Sequence, residues 1–343
     1  GAGRPAPARL AHLAACALAL DAPLVSEHIA FVRSGSREAG HLLPVPRTRE
    51  ALDVVVANVR IAQEQLPVPL ALENIAAVVG WPDDELTEAR FLAEVIDRTG
   101  ALLLLDVANL FASAVNFGVD PLAVLDELPL ESIGYVHVAG GVLVDGVWHD
   151  THTHPVTEPI LALLRELAAR TVLPTVMLER DGDYPAPAEL AGELAAIRKS
   201  VGRTDDDTPV RMTTPAPVVL PDPVPDPPRG LLPLRQAGLA AALDGRGGAP
   251  ASFDQDRVAV ARAALVRKRS RAVGRRAPAV AESLGALLTG FVRAVRRHRA
   301  QTARRRHRRR GRFPGLPTGS WHPARYPPST PADRAQVGRT RQT

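Results

Sequence analysis

The chain has 343 residues, of which 45% are hydrophobic and 23% are charged, and its formal net charge is +5 at pH 7. A single cysteine excludes an internal disulfide framework and favours a reducing, cytoplasmic compartment. The sequence contains no run of about eighteen apolar residues, so we expect neither a transmembrane helix nor a membrane partner.

The charge is unevenly distributed along the chain. Residues 1–200 hold 14 basic and 27 acidic side chains, a net charge of −13, whereas residues 201–343 hold 28 and 10, a net charge of +18. The sequence pI of about 10.0 therefore reflects the second part alone. The sequence predicts an acidic globular region followed by a basic extension.

Strand-like and helix-like segments alternate over the first 200 residues. The strand-like runs are residues 23–29, 69–75, 101–110, 133–138 and 175–180. Between them, the candidate helix N-caps are Thr48, Thr87, Asp120 and Thr157. Gly100 is typical of a helix end, and a further helix-like segment precedes the first run. This alternation favours parallel strand–helix units.

These units predict an α/β fold, namely a TIM-type (β/α) barrel with about five of its eight strands. Because a helix-like segment comes before the first strand, we expect a fragment that lacks about three strand–helix units. We divide the chain into a partial barrel, a Pro- and Asp-rich linker, a helical extension and a disordered Arg- and Pro-rich tail. The respective ranges are 1–202, 203–229, 230–298 and 299–343. Within the extension, residues 231–243 and about 253–298 have helical patterns, with Asp254 as a candidate N-cap.

Polar side chains that bind metals lie at or near the ends of the strand-like runs. They are His28, Glu73, Asp106, Asn109, His137 and Glu179, together with Asp150 and His152 between the last two runs. Such groups are costly to bury unless paired or bound to a metal, and the active site of this barrel type lies at the carboxyl ends of its strands. We expect them to converge on one cavity. A mixed oxygen and nitrogen set suits Fe, Mn or Zn, and the number of candidates favours two or three ions.

Single residues also have simpler interpretations. His28 or His137 alone is more often a hydrogen-bonded core histidine, Glu73 could pair with Arg180, and Asp181 fits a turn. An alternative for the whole set is a divalent-metal sugar isomerase or endonuclease on a similar barrel. A third possibility is polyanion binding by the arginine run at 304–310, for which we expect only non-specific attraction to nucleic acid.

Seven sequence strings carry a family resemblance. They are VSEHIA at 25–30, LLPVP at 42–46, LENI at 72–75, LLDVAN at 104–109, VHVAG at 136–140, DTH at 150–152 and LERD at 178–181. Over about residues 5–200 the chain resembles the multinuclear non-haem iron-dependent oxidases. That family includes the methanobactin-maturation oxidase and the bufferin maturases.

The resemblance implies a barrel that holds two or three irons and uses dioxygen to remodel cysteine or neighbouring residues in a ribosomally made precursor peptide. It implies that the iron ligands are His28, Glu73, Asp106, Asn109, His137, Asp150, His152 and Glu179. A further upstream histidine of the family has no counterpart here, so we expect an incomplete metal site. The precursor peptide would be recognised by a partner protein or by the extension, whose segments 236–239, 253–254, 257–258 and 265–269 resemble a helical partner-type domain.

Overall fold

The structure is a computed structural model that describes residues 1–35, 37–203, 226–290 and 292. Most of the predicted linker and the whole arginine-rich tail lie outside the described residues.

A five-stranded parallel sheet forms the centre of the first 203 residues. The strands in chain order are β1 Val25–His28, β2 Ala30–Ser34, β3 Arg37–Pro44, β4 Leu70–Glu73, β5 Leu102–Asp106, β6 Ile133–Val138, β7 Gly141–Val144, β8 Val147–Asp150 and β9 Val176–Leu178. The central sheet has the order β1-β4-β5-β6-β9, and all its neighbours pair in parallel. The pairs β2–β3 and β7–β8 form antiparallel hairpins, which the sequence patterns did not predict.

Helices lie between the strands and continue after them. In chain order they are α1 Pro7–Ala19, α2 Arg49–Gln63, α3 Glu88–Thr99, α4 Val107–Phe117, α5 Pro121–Glu127, α6 Glu158–Arg170, α7 Pro187–Ser200, α8 Leu232–Leu243, α9 Gln255–Arg276 and α10 Pro278–Leu284. A parallel sheet with flanking helices, followed by C-terminal helices, confirms the predicted α/β fold and is consistent with an incomplete TIM-type barrel. Among the described helices, none has both the length and the apolar character that a membrane span requires.

Local signals set most helix boundaries. The side chains of Thr48, Thr87 and Asp120 accept hydrogen bonds from first-turn amides at 3.2, 3.1 and 2.9 Å, as N-caps do. Gly100 ends α3 with a φ of 64°, a left-handed conformation that costs glycine little. Thr157 is the residue before α6, but its hydroxyl makes no capping bond.

Strands β4 and β5 of the central sheet are covered on both faces. Leu103 and Leu105 are fully buried in a cluster with residues of α3, α4 and α6. Leu104, between them, packs on the opposite face with Ala71 and Tyr135. This burial explains why β5 is continuously apolar up to its last residue, as expected for a parallel strand.

The C-terminal helices share a hydrophobic core with the sheet region. Leu239 of α8 and Leu265 of α9 belong to the cluster that contains Trp81. Phe253, just before α9, lies edge-on to Trp81 with a centroid distance of 5.1 Å. The helical pattern predicted from about residue 253 is confirmed in α9 and α10, which are separate helices because Pro278 lacks the backbone N–H that an uninterrupted helix requires.

Candidate metal centre

Parallel pairing brings the predicted polar residues to one edge of the sheet. Glu73 ends β4, Asp106 ends β5, and His137 is the penultimate residue of β6. The register sets Asp106 beside His137 and His28 beside Glu73. Glu179 directly follows β9. Because these strands run in the same direction, their carboxyl ends meet, and the side chains converge as expected.

Four of these residues form a compact set that we term the inner group: Glu73, Asp106, His137 and Glu179. Each offers one ligand atom, and the four atoms lie within 4.8 Å of one another. His137 Nδ1 lies 3.1 Å from Glu73 Oε1 and 3.1 Å from Glu179 Oε2. The inner group therefore combines three carboxylates with one imidazole.

A second set, the outer group, consists of His152, Glu179 and Asp181, whose ligand atoms also lie within 4.8 Å of one another. His152 Nδ1 is 3.5 Å from Glu179 Oε2 and 3.8 Å from Asp181 Oδ2. The other ring nitrogen, Nε2, is 2.5 Å from Asp150 Oδ2. Glu179 belongs to both groups, and Asp181, which the sequence presented as a turn residue, takes part in the outer one.

Asp106 has two oxygens with different surroundings. Its Oδ1 accepts a hydrogen bond from the backbone N–H of Asn109 at 2.7 Å and thereby caps α4. Its Oδ2 is buried and has no hydrogen-bond partner among the described residues. Burial, together with the nearby charge of Asp150, raises the pKa of Asp106 to about 7. A cation at Oδ2 would remove the cost of keeping this carboxylate charged.

The two histidines are strongly influenced by their carboxylate neighbours. Burial alone would lower the pKa of His137, but hydrogen bonds with Glu179 and Glu73 outweigh it and raise that pKa to about 9. For His152, burial again opposes, and Asp150 and Glu179 raise the pKa to about 11. The hydrogen bond from His137 and the nearby His152 ring hold the pKa of Glu179 well below its usual value. Protons thus compete with metal ions here, because a ligating imidazole must be neutral.

Unsatisfied polar atoms test whether a metal fits. Among the described residues, Asp106 Oδ2, Asp150 Oδ1 and both ring nitrogens of His152 are buried without an aligned hydrogen-bond partner. Buried polar atoms in proteins almost always have partners, so four such atoms in one place call for an explanation. Carboxylate oxygens and imidazole nitrogens that face each other across a small gap suit Fe, Mn or Zn, and their chemistry alone does not select among these metals.

Two predicted ligands lie at the margin of the centre. His28 Nε2 is 3.1 Å from Glu73 Oε2, and its side chain is 37% exposed. Asn109 donates its side-chain amide to the backbone carbonyl of Asn74 at 3.1 Å. Asn74 in turn accepts from Asp106 N at 2.8 Å and donates to Asp106 O at 3.0 Å, so it fastens the end of β4 to the end of β5. This tie was not predicted, although Asn74 stands beside Glu73 in the sequence.

A buried ion pair secures the loop that carries His152. Arg180 Nη2 lies 2.5 Å from Glu193 Oε2 on α7, and the two side chains are only 7% and 9% exposed. Arg180 also donates to the Thr153 carbonyl at 3.2 Å, and Glu193 accepts from Val156 N at 2.6 Å. The interpretation of Glu73 as a partner of Arg180 is therefore wrong, and Arg180 instead connects the end of β9, the loop 151–156 and α7.

Two family models match the chain. The model described as "RiPP precursor modification enzyme MbnB/TglH/ChrH" matches residues 1–201, where RiPP denotes a ribosomally synthesised and post-translationally modified peptide. The model described as "SCO6045-like, C-terminal domain" matches residues 234–312. The boundaries that we expect for the linker and the tail remain predictions.

Several curated relatives are similar to the barrel region. A UPF0276 protein of Streptomyces avermitilis is 60% identical over 208 residues, which cover 59% of this chain and 43% of the relative. UPF0276 proteins of Chromobacterium violaceum and Caulobacter vibrioides are each 39% identical, over 53% and 54% of this chain and 66% of each relative. The chain thus spans less than half of the first relative and about two thirds of the other two. Together with the match over residues 1–201, these similarities show that the chain belongs to the MbnB/TglH/ChrH family of RiPP precursor modification enzymes.

Proposed function

We propose that this protein is an iron- and dioxygen-dependent enzyme that oxidatively modifies cysteine, or residues beside it, in a ribosomally made precursor peptide. The observation that carries the proposal is the membership of Glu179 in both ligand groups. A carboxylate shared between two ligand sets is typical of centres that hold more than one ion. Family membership supports the peptide substrate.

The inner and outer groups would each bind a separate metal ion. The inner group would hold one ion and the outer group, with Asp150, a second, while Glu179 would serve both. His28, beside the second oxygen of Glu73, offers a position for a third ion. When bound, iron would supply the redox exchange with dioxygen that the modification of cysteine requires.

The surroundings of the groups would keep their geometry fixed. Asn74 ties the two strands that carry Glu73 and Asp106. Tyr135 lies edge-on to the His137 ring at 5.2 Å, and its hydroxyl donates to Ser26 Oγ at 2.8 Å. Ligands held in place by their neighbours bind metal more tightly than mobile ones. The apolar cluster of Leu104 and its partners would limit the access of water from within the sheet.

Metal loading followed by exposure to oxygen tests the proposal. The protein is loaded anaerobically with Fe(II), Mn(II) or Zn(II) and then given oxygen and a cysteine-containing peptide encoded by a short open reading frame beside the gene. We expect more than one iron per chain, and oxygen uptake with a mass change of the peptide only in the iron-loaded sample.

The matched variants are Glu179→Gln, which removes the shared carboxylate charge, and Glu127→Gln, which removes an exposed carboxylate charge on α5. Glu179→Gln should lose iron and peptide modification, and Glu127→Gln should keep both. Equal modification with Zn(II), or unchanged iron content in Glu179→Gln, would contradict the proposal.

A further inference from the structure

Helix α9 presents a row of positive side chains to solvent. Of its ionisable residues, eight are basic and only Asp256 is acidic. Arg267, Lys268, Arg271 and Arg275 are all exposed and lie within about 100° of one another around the helix axis. We term these four residues the α9 stripe.

The positive charge of the α9 stripe is not paired with carboxylates among the described residues. In the part of the chain that the structure describes, none of its four side chains forms an ion pair with a carboxylate. By contrast, Arg47 and Arg170 of the sheet region each contact an aspartate. Like charges spaced three and four residues apart weaken a helix, so the stripe carries a stability cost that an anionic ligand would offset.

Helix α9 contacts segments of the chain that follow two strands of the metal centre, β1 and β5. Its Arg257 guanidinium is 5.1 Å from the ring centroid of Phe117, at the end of the helix that follows β5. Its Arg269 donates to the carbonyl of Ala39, in the hairpin that follows β1. Both contacts are with segments that follow the carboxyl ends of strands.

We propose that the α9 stripe binds an acidic segment of the peptide substrate beside the metal centre. This inference rests on the proposed function, from which it takes the peptide nature of the substrate. From Arg267 to Arg275 the helix rises about 12 Å, a length that about four residues of extended peptide would match. The segment that binds the stripe would therefore contain about four residues.

The charge of the metal centre determines which part of the peptide would bind there and which part would bind to the α9 stripe. Five carboxylates lie in or beside the two ligand groups: Glu73, Asp106, Asp150, Glu179 and Asp181. Two Fe(II) ions, one in each ligand group, would carry four positive charges against these five carboxylates, so the loaded centre would have no excess positive charge to attract an acidic segment. An acidic segment held on the α9 stripe would thus leave a neutral, cysteine-containing part of the same peptide to enter the centre.

A peptide fits the stripe better than a nucleic acid. Arginines also attract phosphates, but single-stranded nucleic acids are usually held by aromatic side chains on which bases stack, and α9 contains no aromatic residue. The chain belongs to a family of peptide-modifying enzymes. Nucleic-acid binding is therefore the rival outcome in the experiment.

Charge reversal in the full chain tests the inference. The stripe variant carries Arg267→Glu, Arg271→Glu and Arg275→Glu, and the control carries Arg304→Glu, Arg305→Glu and Arg306→Glu, which change the net charge equally. The probes are a fluorescein-labelled hexaglutamate peptide and a labelled DNA hexamer, and binding is measured by fluorescence anisotropy at two salt concentrations. We expect the stripe variant to bind the peptide at least tenfold more weakly than the unmodified chain and the control to lose less than threefold.

Other results would overturn the inference. These are an equal or larger loss in the control, unchanged peptide binding in the stripe variant, or stripe-dependent binding of the DNA hexamer that is tighter than that of the peptide. If circular dichroism shows that the stripe variant is unfolded, a variant with glutamine at the same three positions replaces it under the same criteria. Iron content is measured on every variant, so stripe-dependent peptide binding by a protein that takes up no iron would contradict the proposed function alone.

Discussion

The two ligand groups of the candidate metal centre are supported by different parts of the molecule. Glu73, Asp106 and His137 stand on three neighbouring strands and are at most 13% exposed. In the outer group, His152 lies in a loop with a φ of 54°, and the side chain of Asp181 is 70% exposed. The strand-borne residues are positioned by sheet register, whereas the loop-borne residues depend on side-chain contacts such as the pair of Arg180 and Glu193.

The largest loss of bound metal is expected for Asp106→Asn, which changes a strand-borne ligand. Asparagine can still cap α4 through its side-chain oxygen, but it lacks the negative charge that Oδ2 directs into the centre. We expect the loss of at least one bound metal ion per chain, measured by mass spectrometry of the metal content. In the metal-free protein, the same change should raise the free energy of unfolding measured in urea, because a buried and unpartnered carboxylate is removed.

The control for this variant is Asp120→Asn. Asp120 also caps a helix, since its side chain accepts from Leu122 N at 2.9 Å, but it is exposed and belongs to neither ligand group. The Asp120→Asn variant should therefore leave the metal content unchanged. Unchanged metal content in Asp106→Asn as well would show that the strand-borne carboxylate is only a helix cap.

The second largest effect is expected when the ion pair of Arg180 and Glu193, which supports the loop-borne residues, is broken. Arg180→Met leaves Glu193 buried without its partner, so we expect the free energy of unfolding to fall by about 3 kcal/mol. Adding Glu193→Leu should restore most of this stability, because a buried ion pair can be replaced by apolar side chains at little cost. Both measurements use urea unfolding of the metal-free protein.

Metal content then separates the two parts of the centre. Loss of the contact between Arg180 and the Thr153 carbonyl should loosen the loop of His152. The stable double variant should therefore lose the ion of the outer group and keep that of the inner group. Retention of all the metal would mean that the loop needs no such support, and loss of all of it would mean that the two parts are not independent.

Features of the fold that depend on adjacent residues could be predicted from the sequence, and features that interrupt the regular alternation of strands and helices could not. The boundaries of α3 follow from Thr87 and Gly100, which act on adjacent backbone and are visible locally. The helical pattern after residue 253 was likewise visible, and α9 ends before Pro278, a residue that interrupts helices wherever it follows their first turn. The hairpins β2–β3 and β7–β8 were missed because they are short insertions after β1 and β6, and the prediction rested on a regular alternation of strands and helices.

For the site, residues in phase with strand ends could be found from the sequence, and contacts between distant segments could not. Glu73, Asp106 and His137 each interrupt or end an apolar run, and parallel pairing brings such positions together. Nothing in the sequence connects Arg180 with Glu193, because their contact depends on how α7 packs against the loop. Asp181 gave only the signal of a turn residue, which many exposed aspartates share.

The smallest loss of metal affinity is expected for Asp181→Asn. Its carboxylate is exposed and comes no closer than 3.8 Å to His152 Nδ1, so its contribution should resemble that of a surface ion pair, at most about 1 kcal/mol or fivefold in metal affinity. Competition with a chelator measures this affinity, with Glu179→Gln as the reference because Glu179 serves both groups. If Asp181→Asn released as much metal as Glu179→Gln, the exposed loop would hold metal as firmly as the buried strands, and the contrast between the two parts would be wrong.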